Sequence, residues 1–404
     1  MQGLIAWYHR QTAAEDGHIP ALDGLRAAMV LVIGAYHIWQ QSWLTPCIPW
    51  FGRRISLDPL LRAGYLWVDG MLLLSGFLLY LPHARAKENN RLSPPVLPFY
   101  RRRFARIMPT YVLNLAVVFL VVALPGRLYA TPWHATRDIL AHLTFTHNLF
   151  PFSYLHTPLN GVLWTLAVEV QFYVLFPLLA GAFRRMPLMT YLGMAGSAFL
   201  FRWWAAGQAD TSMLVNQLPA FLDVYANGFV AASIYASLQK RMKEDAWTRV
   251  MMTACAGTAL YMLAALVRAQ AMESTIDMIR LGQMKRRFLL SVLLSMLMLG
   301  TSLGLGGIRL LLGNRITRYL SAISYQYYMW HQVVAAQLKA WRIPASSHPN
   351  PNQAGDRTWQ LLYVLLCYAL AFAISTAITY LIEQPAARLL SGQKRPQRKK
   401  EATP

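Results

Sequence analysis

Ten apolar stretches, most of them close to twenty residues long, constrain this chain more than any other feature. A helix needs about twenty apolar residues to cross a bilayer, and it satisfies its own backbone hydrogen bonds, as the hydrocarbon core requires. The sequence therefore predicts an all-α integral membrane protein, a bundle of about ten transmembrane helices. The predicted spans are residues 20–41, 65–81, 107–125, 161–181, 188–205, 217–238, 250–268, 288–305, 319–338 and 358–382.

The composition agrees with a membrane protein and argues against a nucleic-acid partner. Hydrophobic residues make up 56% of the 404 and charged residues 14%, proportions that an ordinary soluble domain does not tolerate on its surface. The formal net charge of +21 comes from Lys and Arg that lie between the spans rather than on one compact face. Their distribution places both termini in the cytoplasm under the positive-inside rule. The expected location is the cell membrane, in a bacterium the cytoplasmic membrane.

One transmembrane domain is predicted over residues 1–390, followed by a basic tail, 391–404, that is expected to be disordered and to lie on anionic lipid. The first apolar run is expected to be a retained span rather than a cleaved signal, and no appended soluble domain is expected. One predicted outer loop, Arg268 to Arg287, conflicts with the charge rule because it carries Lys285 and Arg286 as well. Either a neighbouring span has the wrong boundary or this loop binds an anion.

The first span carries two ionisable residues on one helix face. Arg26 and His37 are separated by three helical turns, about 16 Å along the axis. Ionisable side chains within a span are functional candidates because burying them in lipid is costly. Asp23 lies one turn before Arg26 and is positioned to pair with it, and Gly34 allows a close approach near His37. The structural alternative is an arginine that extends to the headgroups and a histidine that only packs.

A basic segment, FYRRRFARIMPTY, precedes the third span. Arg103 and Arg106 lie at the predicted start of that span, where free backbone N–H groups and the helix dipole favour an anion. These features predict a phosphate-binding site. An ordinary positive-inside cluster is the alternative.

The fourth span places a carboxylate at mid-membrane depth. Glu169 needs a partner or a proton there, and Arg26 or His37 is the predicted partner. Trp164, Thr165 and Tyr173 lie on neighbouring turns. A helix-to-helix ion pair without chemistry is the alternative.

The ninth span, YLSAISYQYYMWHQ, carries a second polar face. Ser324, Tyr328 and His331 follow one another at helical spacing, with Tyr325 beside them. An aromatic belt at the membrane interface explains the tyrosines but not Ser324 and His331 together. The histidines of the segment 126–160 fit no metal signature, and no metal site is predicted.

Taken together, these motifs make the chain resemble the membrane proteins of acyltransferase family 3 over nearly its whole length. The resemblance rests on LDGLR followed by His37, VDGMLLLSGFLL, RRFARIMP, WTLAVEVQFY, SYQYYMWHQ and the closing IEQP. Two departures stand out. Met71 and Leu72 replace the usual pair of phenylalanines, and Thr165 replaces a serine but keeps the hydroxyl.

The resemblance implies an acyl-CoA donor, with acetyl-CoA the expected form, and a hydroxyl-bearing acceptor. It implies that Arg102, Arg103 and Arg106 bind the donor on the cytoplasmic side and that His37 is catalytic. On physical grounds, Arg26 is expected to stabilise oxyanion charge or to hold the thioester. Glu169 is expected to orient His37 or to balance Arg26. The remaining polar residues are expected to contact substrate or to support the site: Asp23, Trp164, Thr165, Tyr173, Ser324, Tyr325, Tyr328 and His331.

Two other classes of function remain open at this level. A proton-coupled transporter or flippase would use Arg26, His37 and Glu169 as a path, and a scaffold would tolerate their replacement. For an enzyme, the expected acceptors are surface glycans, lipid-linked glycans and glycosylated metabolites such as a macrolide. The sequence leaves open whether His37 acts as a general base or carries the acyl group itself.

Overall fold

A computed structural model describes residues 18–241 and 246–391, and in these ranges the protein is almost entirely helical. The basic tail 392–404, the first seventeen residues and part of the run QKRMKED lie outside the described residues. The helices are α1 (Pro20–Ser42), α2 (Asp58–Arg62), α3 (Trp67–Glu88), α4 (Val96–Val118), α5 (Pro132–Leu143), α6 (Pro151–Tyr154), α7 (Trp164–Arg185), α8 (Pro187–Ala206), α9 (Leu222–Arg241), α10 (Ala246–Ala271), α11 (Ile276–Leu303), α12 (Gly306–Leu312), α13 (Arg315–Ala340), α14 (Arg357–Ile378) and α15 (Gln384–Ser391).

Short turns extend several of these helices. Gly64–Leu66, His147–Leu149, Gly161–Leu163 and Leu218–Phe221 form 3₁₀ turns, and Phe119–Ala123 and Thr379–Glu383 form π-helical turns. The two π turns directly follow α4 and α14 and continue their direction.

Eight helical stretches in the described ranges are long and apolar enough to cross a membrane, which confirms the prediction of an all-α membrane protein. Two further helices, α8 and α13, have 20 and 26 residues and match the predicted fifth and ninth spans, but they are not among these eight. The total of ten spans and the cytoplasmic termini remain predictions. The eight stretches are Pro20–Ser42, Gly64–Glu88, Val96–Ala123, Gly161–Arg185, Leu218–Lys240, Ala246–Ala271, Ile276–Leu303 and Arg357–Ser391.

The basic segment before the third span is helical, contrary to the prediction that the helix begins near residue 107. Helix α4 begins at Val96, so Arg103 and Arg106 lie on its second and third turns. The residue before the helix, Pro95, has an extended backbone. A proline disfavours helical backbone in the residue that precedes it, so the helix does not extend to residues before Pro95. The prediction that Arg103 and Arg106 lie beside the free N–H groups of a helix start is therefore wrong.

The predicted basic outer loop is also helical, and its arginines have structural partners. Helix α11 begins at Ile276, twelve residues before the predicted span. Arg287 is fully buried and donates to Asp69 at 2.9 Å. Arg286 pairs with Glu273 at 2.7 Å. The boundary of the eighth span was wrong, and Arg286 and Arg287 are occupied by acidic partners, which leaves no basic loop for an anion to bind.

A small antiparallel hairpin is the only sheet in the described residues. Its strands are β1 (Cys47–Trp50) and β2 (Arg53–Ser56), with Cys47 opposite Ser56 and Trp50 opposite Arg53. The side chains of β2 are exposed. This hairpin was not predicted from the sequence; it lies between α1 and α2, and its described side chains are exposed.

Close helix packing at glycines sets the positions of the site helices. A Cβ added at Gly228 of α9 would lie 2.7 Å from the carbonyl oxygen of Leu73 in α3. A Cβ added at Gly34 of α1 would lie 2.3 Å from the hydroxyl of Tyr327 in α13. Small residues let helix backbones approach in this way in membrane bundles.

Candidate functional site

A cavity of about 150 Å³ lies among α1, α3, α4, α7 and α13. It brings together most of the polar residues singled out in the sequence, while α3 supplies most of its apolar wall. Met71 and Leu72, the two departures from the family pattern, belong to that wall. The cavity is lined by Arg26, Val68, Met71, Leu72, Leu74, Ser75, Leu78, Leu79, Arg103, Arg106, Ile107, Thr165, Leu166, Glu169, Tyr173, Ser324, Tyr325 and Tyr328.

The directions of the helices give this cavity two distinct ends. Ser321 donates to Asp23 at 2.9 Å and Lys339 donates to the Gln41 carbonyl at 3.2 Å, so α1 and α13 run parallel. Helix α4 runs the same way, because Tyr325 donates to the Ile107 carbonyl and Asn114 to the Met329 carbonyl.

Helix α7 runs in the opposite direction to these three. Thr165 near its start meets Tyr328, and Tyr173 further along lies beneath Arg103. One end of the cavity is therefore at Arg103 and the other at Tyr328.

Three cations line the cavity. The Arg103 guanidinium carbon lies 5.4 Å from the centre of the Tyr173 ring and 5.8 Å from that of Phe99. Arg26 and Arg106 form no hydrogen bond or ion pair with any residue in 18–241 or 246–391. Their guanidinium groups thus remain available for an anion, since each carries donors in a planar fork that suits phosphate or carboxylate.

Glu169 is held by hydroxyl groups rather than by a cation. One of its oxygens accepts hydrogen bonds from Ser75 Oγ, at 2.8 Å, and from the Tyr173 hydroxyl. Among the described residues, neither Arg26 nor His37 forms a hydrogen bond or an ion pair with Glu169, so the predicted direct pairing is not formed. Ser75 was missed by the sequence analysis, although it is the one hydroxyl within the apolar run LLLSGFLL.

Hydrogen bonds close the Tyr328 end of the cavity. Thr165 donates to the Tyr328 hydroxyl at 2.8 Å, and that hydroxyl lies 3.2 Å from the Val162 carbonyl oxygen, to which it donates. Ser324 donates to the Ser321 carbonyl at 2.7 Å, a bond within its own helix. Thr165, Ser324 and Tyr328 are all buried.

A second cavity of about 160 Å³ adjoins the Arg103 end of the first and shares Leu78, Leu79 and Arg103 with it. Arg102, an exposed residue, lines only this second cavity. Val96, the first residue of α4, also lines this second cavity, so the helix start borders this space rather than the space around Arg106.

His37 does not line the first cavity. It lies further along α1, half-buried, with its ring centre 5.2 Å from that of His331. His331 in turn lies one helical turn beyond Tyr328, with 5.8 Å between their ring centres. The order along the site is therefore the arginines, then Glu169, then the Thr165–Tyr328 bond, and finally the two histidines.

Two predicted residues have other contacts. Asp23 pairs with His18 at 2.8 Å and accepts a hydrogen bond from Ser321, so the predicted pair with Arg26 is not formed. Trp164 lies outside the cavity, with its ring centre 6.0 Å from that of Phe221. It is placed as a packing residue.

Two histidines of the segment between α4 and α7 form a buried stack. The rings of His142 and His147 are 4.1 Å apart and nearly parallel, and His142 Nδ1 lies 3.1 Å from Asp138. Burial, followed by the neighbouring His142, lowers the pKa of His147 to about 3. Within the part of the chain that the structure describes, no group of three or more His, Cys, Asp or Glu side chains is arranged to hold a metal ion.

Comparison with known proteins gives the chain a family. Residues 19–380 match the family model described as an acyltransferase domain. The chain is 30% identical over 172 residues to an O-acetyltransferase OatA of Staphylococcus aureus (strain NCTC 8325 / PS 47), covering 40% of this chain and 24% of that protein. It is 29% identical over 178 residues to the peptidoglycan O-acetyltransferase OatA of Listeria monocytogenes serovar 1/2a (strain ATCC BAA-679 / EGD-e), covering 42% of this chain and 25% of that protein.

A putative O-acetyltransferase of Staphylococcus aureus (strain COL) is similar at 30% over 172 residues, or 40% of this chain and 24% of the relative. The chain matches about a quarter of the length of these curated relatives. No solved structure matches it. Because the family model covers most of the residues and every motif described above except the closing IEQP, the protein belongs to acyltransferase family 3.

Proposed function

We propose that the protein is a membrane O-acyltransferase that transfers an acetyl or other short acyl group from acyl-CoA to a hydroxyl of a sugar-containing acceptor. The observation that carries this proposal is the first cavity. It combines three arginines, two of them without partners among the described residues, with an apolar wall and a single carboxylate.

The arrangement of charge suits a nucleotide thioester. The phosphates of CoA are polyanionic, and arginine binds phosphate through paired N–H donors. Arg102 and Arg103 in the second cavity, with the start of α4, would hold the nucleotide end. The pantetheine arm would then extend past Arg106 and Arg26 along the apolar wall of α3.

The proposed chemistry takes place at His37, beyond Tyr328, so the Thr165–Tyr328 hydrogen bond has to open for the thioester to pass. The Nε2 atom of His37 removes the proton from the acceptor hydroxyl while the oxygen attacks the thioester carbonyl. The tetrahedral intermediate then collapses, the C–S bond breaks, and the CoA thiolate takes the proton from His37. General-base catalysis of this kind typically contributes about 10² to 10⁴ in rate.

Arg26 and Glu169 have supporting roles in this proposal. Arg26 lies at the arginine end of the site, three helical turns from His37, so its proposed role is to bind the donor rather than to stabilise the oxyanion that forms at His37. Glu169, which accepts hydrogen bonds from Ser75 and Tyr173, is the one carboxylate that lines the cavity with the three arginines. Its negative charge reduces the net positive charge of the cavity and so limits the affinity for CoA.

The acceptor is proposed at the level of chemical class. The names of the relatives include a peptidoglycan O-acetyltransferase, so a cell-surface glycan is the first candidate. Lipid-linked glycans and glycosylated metabolites such as macrolides present the same hydroxyl chemistry. Mass spectrometry of surface glycans and secreted metabolites, with and without the gene, would identify the acceptor by the acyl mass it loses.

The direct test is turnover of acetyl-CoA by the purified protein in detergent. Release of the CoA thiol, with transfer of labelled acetyl to an extracted glycan, is the expected result. A transporter or flippase would need two compartments to show activity, so the absence of turnover with donor and acceptor both present would favour that class. Labelled acetyl that is retained on rapidly denatured wild-type protein but not on His37→Ala would support a covalent acyl intermediate on His37.

A further inference from the structure

We infer that the protein binds an anionic phospholipid in an apolar groove bounded by α1, α3, α10, α11 and α12. The groove has a volume of about 420 Å³. It shares α1 and α3 with the first cavity but none of its lining residues. One acyl chain of the lipid lies in the groove, and Arg309 binds the headgroup phosphate. The inference is independent of the proposed function, because its tests measure lipid binding rather than turnover.

The wall of the groove is almost entirely apolar. Leucine, isoleucine, methionine and small residues make up most of it. Its two hydroxyl groups are already engaged within the protein: Thr253 Oγ1 accepts a hydrogen bond from the backbone N–H of Leu305 at 3.0 Å, and Thr301 donates to the Leu297 carbonyl at 2.7 Å. Such a wall favours a hydrocarbon chain over a polar ligand.

The groove is open along α10 to the surroundings of the protein. It follows that helix from Thr253 to Leu260, a distance of about 10 Å, and both Gly257 and Leu260 are exposed. Helix α10 is long and apolar enough to cross a membrane, so the space beside it is filled by lipid. An acyl chain can therefore enter the groove sideways from the bilayer.

An arginine lies at one end of the groove. Ile308, Leu311 and Leu312 of α12 line that end, and Arg309 belongs to the same short helix. The side chain of Arg309 is half-buried and forms no hydrogen bond or ion pair with any residue in 18–241 or 246–391, and its Nε atom is buried without a partner. Buried polar atoms are normally hydrogen-bonded, so this guanidinium requires an anion from outside the described chain.

The position of Arg309 favours the phosphate of a lipid as that anion. Helix α12 packs against the start of α1, since a Cβ added at Gly24 would lie 2.5 Å from the Leu312 carbonyl oxygen. Arg309 is therefore at an end of the bundle, where headgroups lie. Arg249 adds positive charge there, one turn before Thr253 on the same face of α10. Basic pockets between membrane helices bind phosphate headgroups, and an apolar groove beside one accommodates the chain.

Native mass spectrometry of the purified protein, titrated with phosphatidylglycerol or with phosphatidylcholine, tests the inference. Wild type should bind phosphatidylglycerol more tightly. Arg309→Gln should weaken that binding about fivefold, the usual contribution of one cation to anionic lipid, and should leave phosphatidylcholine binding unchanged. Arg53→Gln removes the same charge from the exposed strand β2 and should change neither affinity.

Gly257→Phe tests the groove itself. Gly257 lines the groove and nothing lies within 4 Å of an added Cβ, so a phenylalanine ring can occupy the space without moving the backbone. The variant should weaken the binding of both lipids about tenfold, because chain and ring would then overpack the groove. Gly193→Phe on α8, where an added Cβ is equally unobstructed, should keep wild-type binding.

Equal affinity of the wild type for the two lipids, or no loss of phosphatidylglycerol binding in Arg309→Gln, would overturn the inference. Equal lipid binding in Gly257→Phe and Gly193→Phe would also overturn it. If Gly257→Phe changes the oligomeric state but not the bound lipid, a second copy of the chain occupies the groove and the inference is wrong. If that variant does not fold, Gly257→Leu takes its place with the same expected direction.

Discussion

Gly34 lies directly against Tyr327, so that a Cβ at residue 34 would approach the Tyr327 hydroxyl to 2.3 Å and its ring carbon Cε1 to 2.6 Å. This contact sets the distance between α1 and α13 one turn before the His37–His331 pair. The tyrosine is fully buried, so its ring cannot simply swing away.

Gly34→Ala should therefore separate the two histidines. Overpacking in a dense core costs about 1–3 kcal/mol, and we expect a lower melting temperature together with a loss of kcat of at least tenfold. Gly193→Ala on α8 is the matched control because nothing lies within 4 Å of the added Cβ. Equal kcat in the two alanine variants would show that the helix spacing at Gly34 does not matter for turnover.

The double variant Arg103→Ala, Arg106→Ala should weaken donor binding. Each guanidinium faces the first cavity, so their removal should raise KM for acetyl-CoA at least tenfold with a smaller change in kcat. The double variant Arg53→Ala, Arg54→Ala on the exposed strand β2 removes the same charge elsewhere. If the hairpin variant raises KM as much as the cavity variant does, the effect is one of overall charge and the donor site lies elsewhere.

The buried pair Arg287–Asp69 should be important for stability. Both side chains are 0% exposed, and Arg287 also donates to the Val215 carbonyl at 3.0 Å. Removing one member of a buried pair leaves an uncompensated charge, which typically costs about 3–5 kcal/mol. We expect Arg287→Met to lower the melting temperature sharply in detergent.

Asp210→Asn is the comparison for that experiment, because it breaks the more exposed pair with Arg280 at 3.3 Å. Surface pairs are worth about 0–1 kcal/mol. A loss of stability in Arg287→Met no greater than in Asp210→Asn would mean that the buried pair contributes little.

Lowering the pH should reduce the free energy of local unfolding of the segment that contains His147. Burial lowers the pKa of this imidazole to about 3 in the folded protein, against a usual value near 6.5. Between these two values the unfolded segment binds more protons than the folded one, so stability falls as the pH falls from about 6.5 toward 3, by up to about 1.4 kcal/mol per pH unit.

Hydrogen exchange of residues 130–160 at pH 7 and pH 5 measures this effect. The exchange should accelerate at pH 5, after correction for intrinsic rates, and His147→Phe should remove most of the acceleration. His156→Asn, at an exposed position, should not. Acceleration that persists in the Phe variant would assign the pH dependence to another group.

The sequence predicted the membrane spans well wherever apolar residues alone define a helix. Helix α1 was predicted as 20–41 and is Pro20–Ser42. The failures lie where arginines enter a span. At α11, Arg286 and Arg287 have acidic partners on α3 and in the turn after α10, and such tertiary pairs are invisible to local hydropathy.

Helical spacing and membrane depth were enough to group the cavity residues but not to orient them. Arg26, Glu169 and Tyr328 line one cavity, as their depths indicated. Their actual partners depend on rotamers and neighbouring helices. Ser75 and Tyr173 hold Glu169, and His37 lies beyond Tyr328 rather than beside Glu169.

Donor binding and chemistry are proposed to occupy different parts of one site. The most direct measurement compares His37→Ala with wild type for both the Kd of acetyl-CoA and its turnover in detergent. We expect an unchanged Kd, because the arginines lie at the other end of the site, together with a loss of turnover of at least 10²-fold. Turnover retained in the variant, or donor binding lost along with activity, would contradict it.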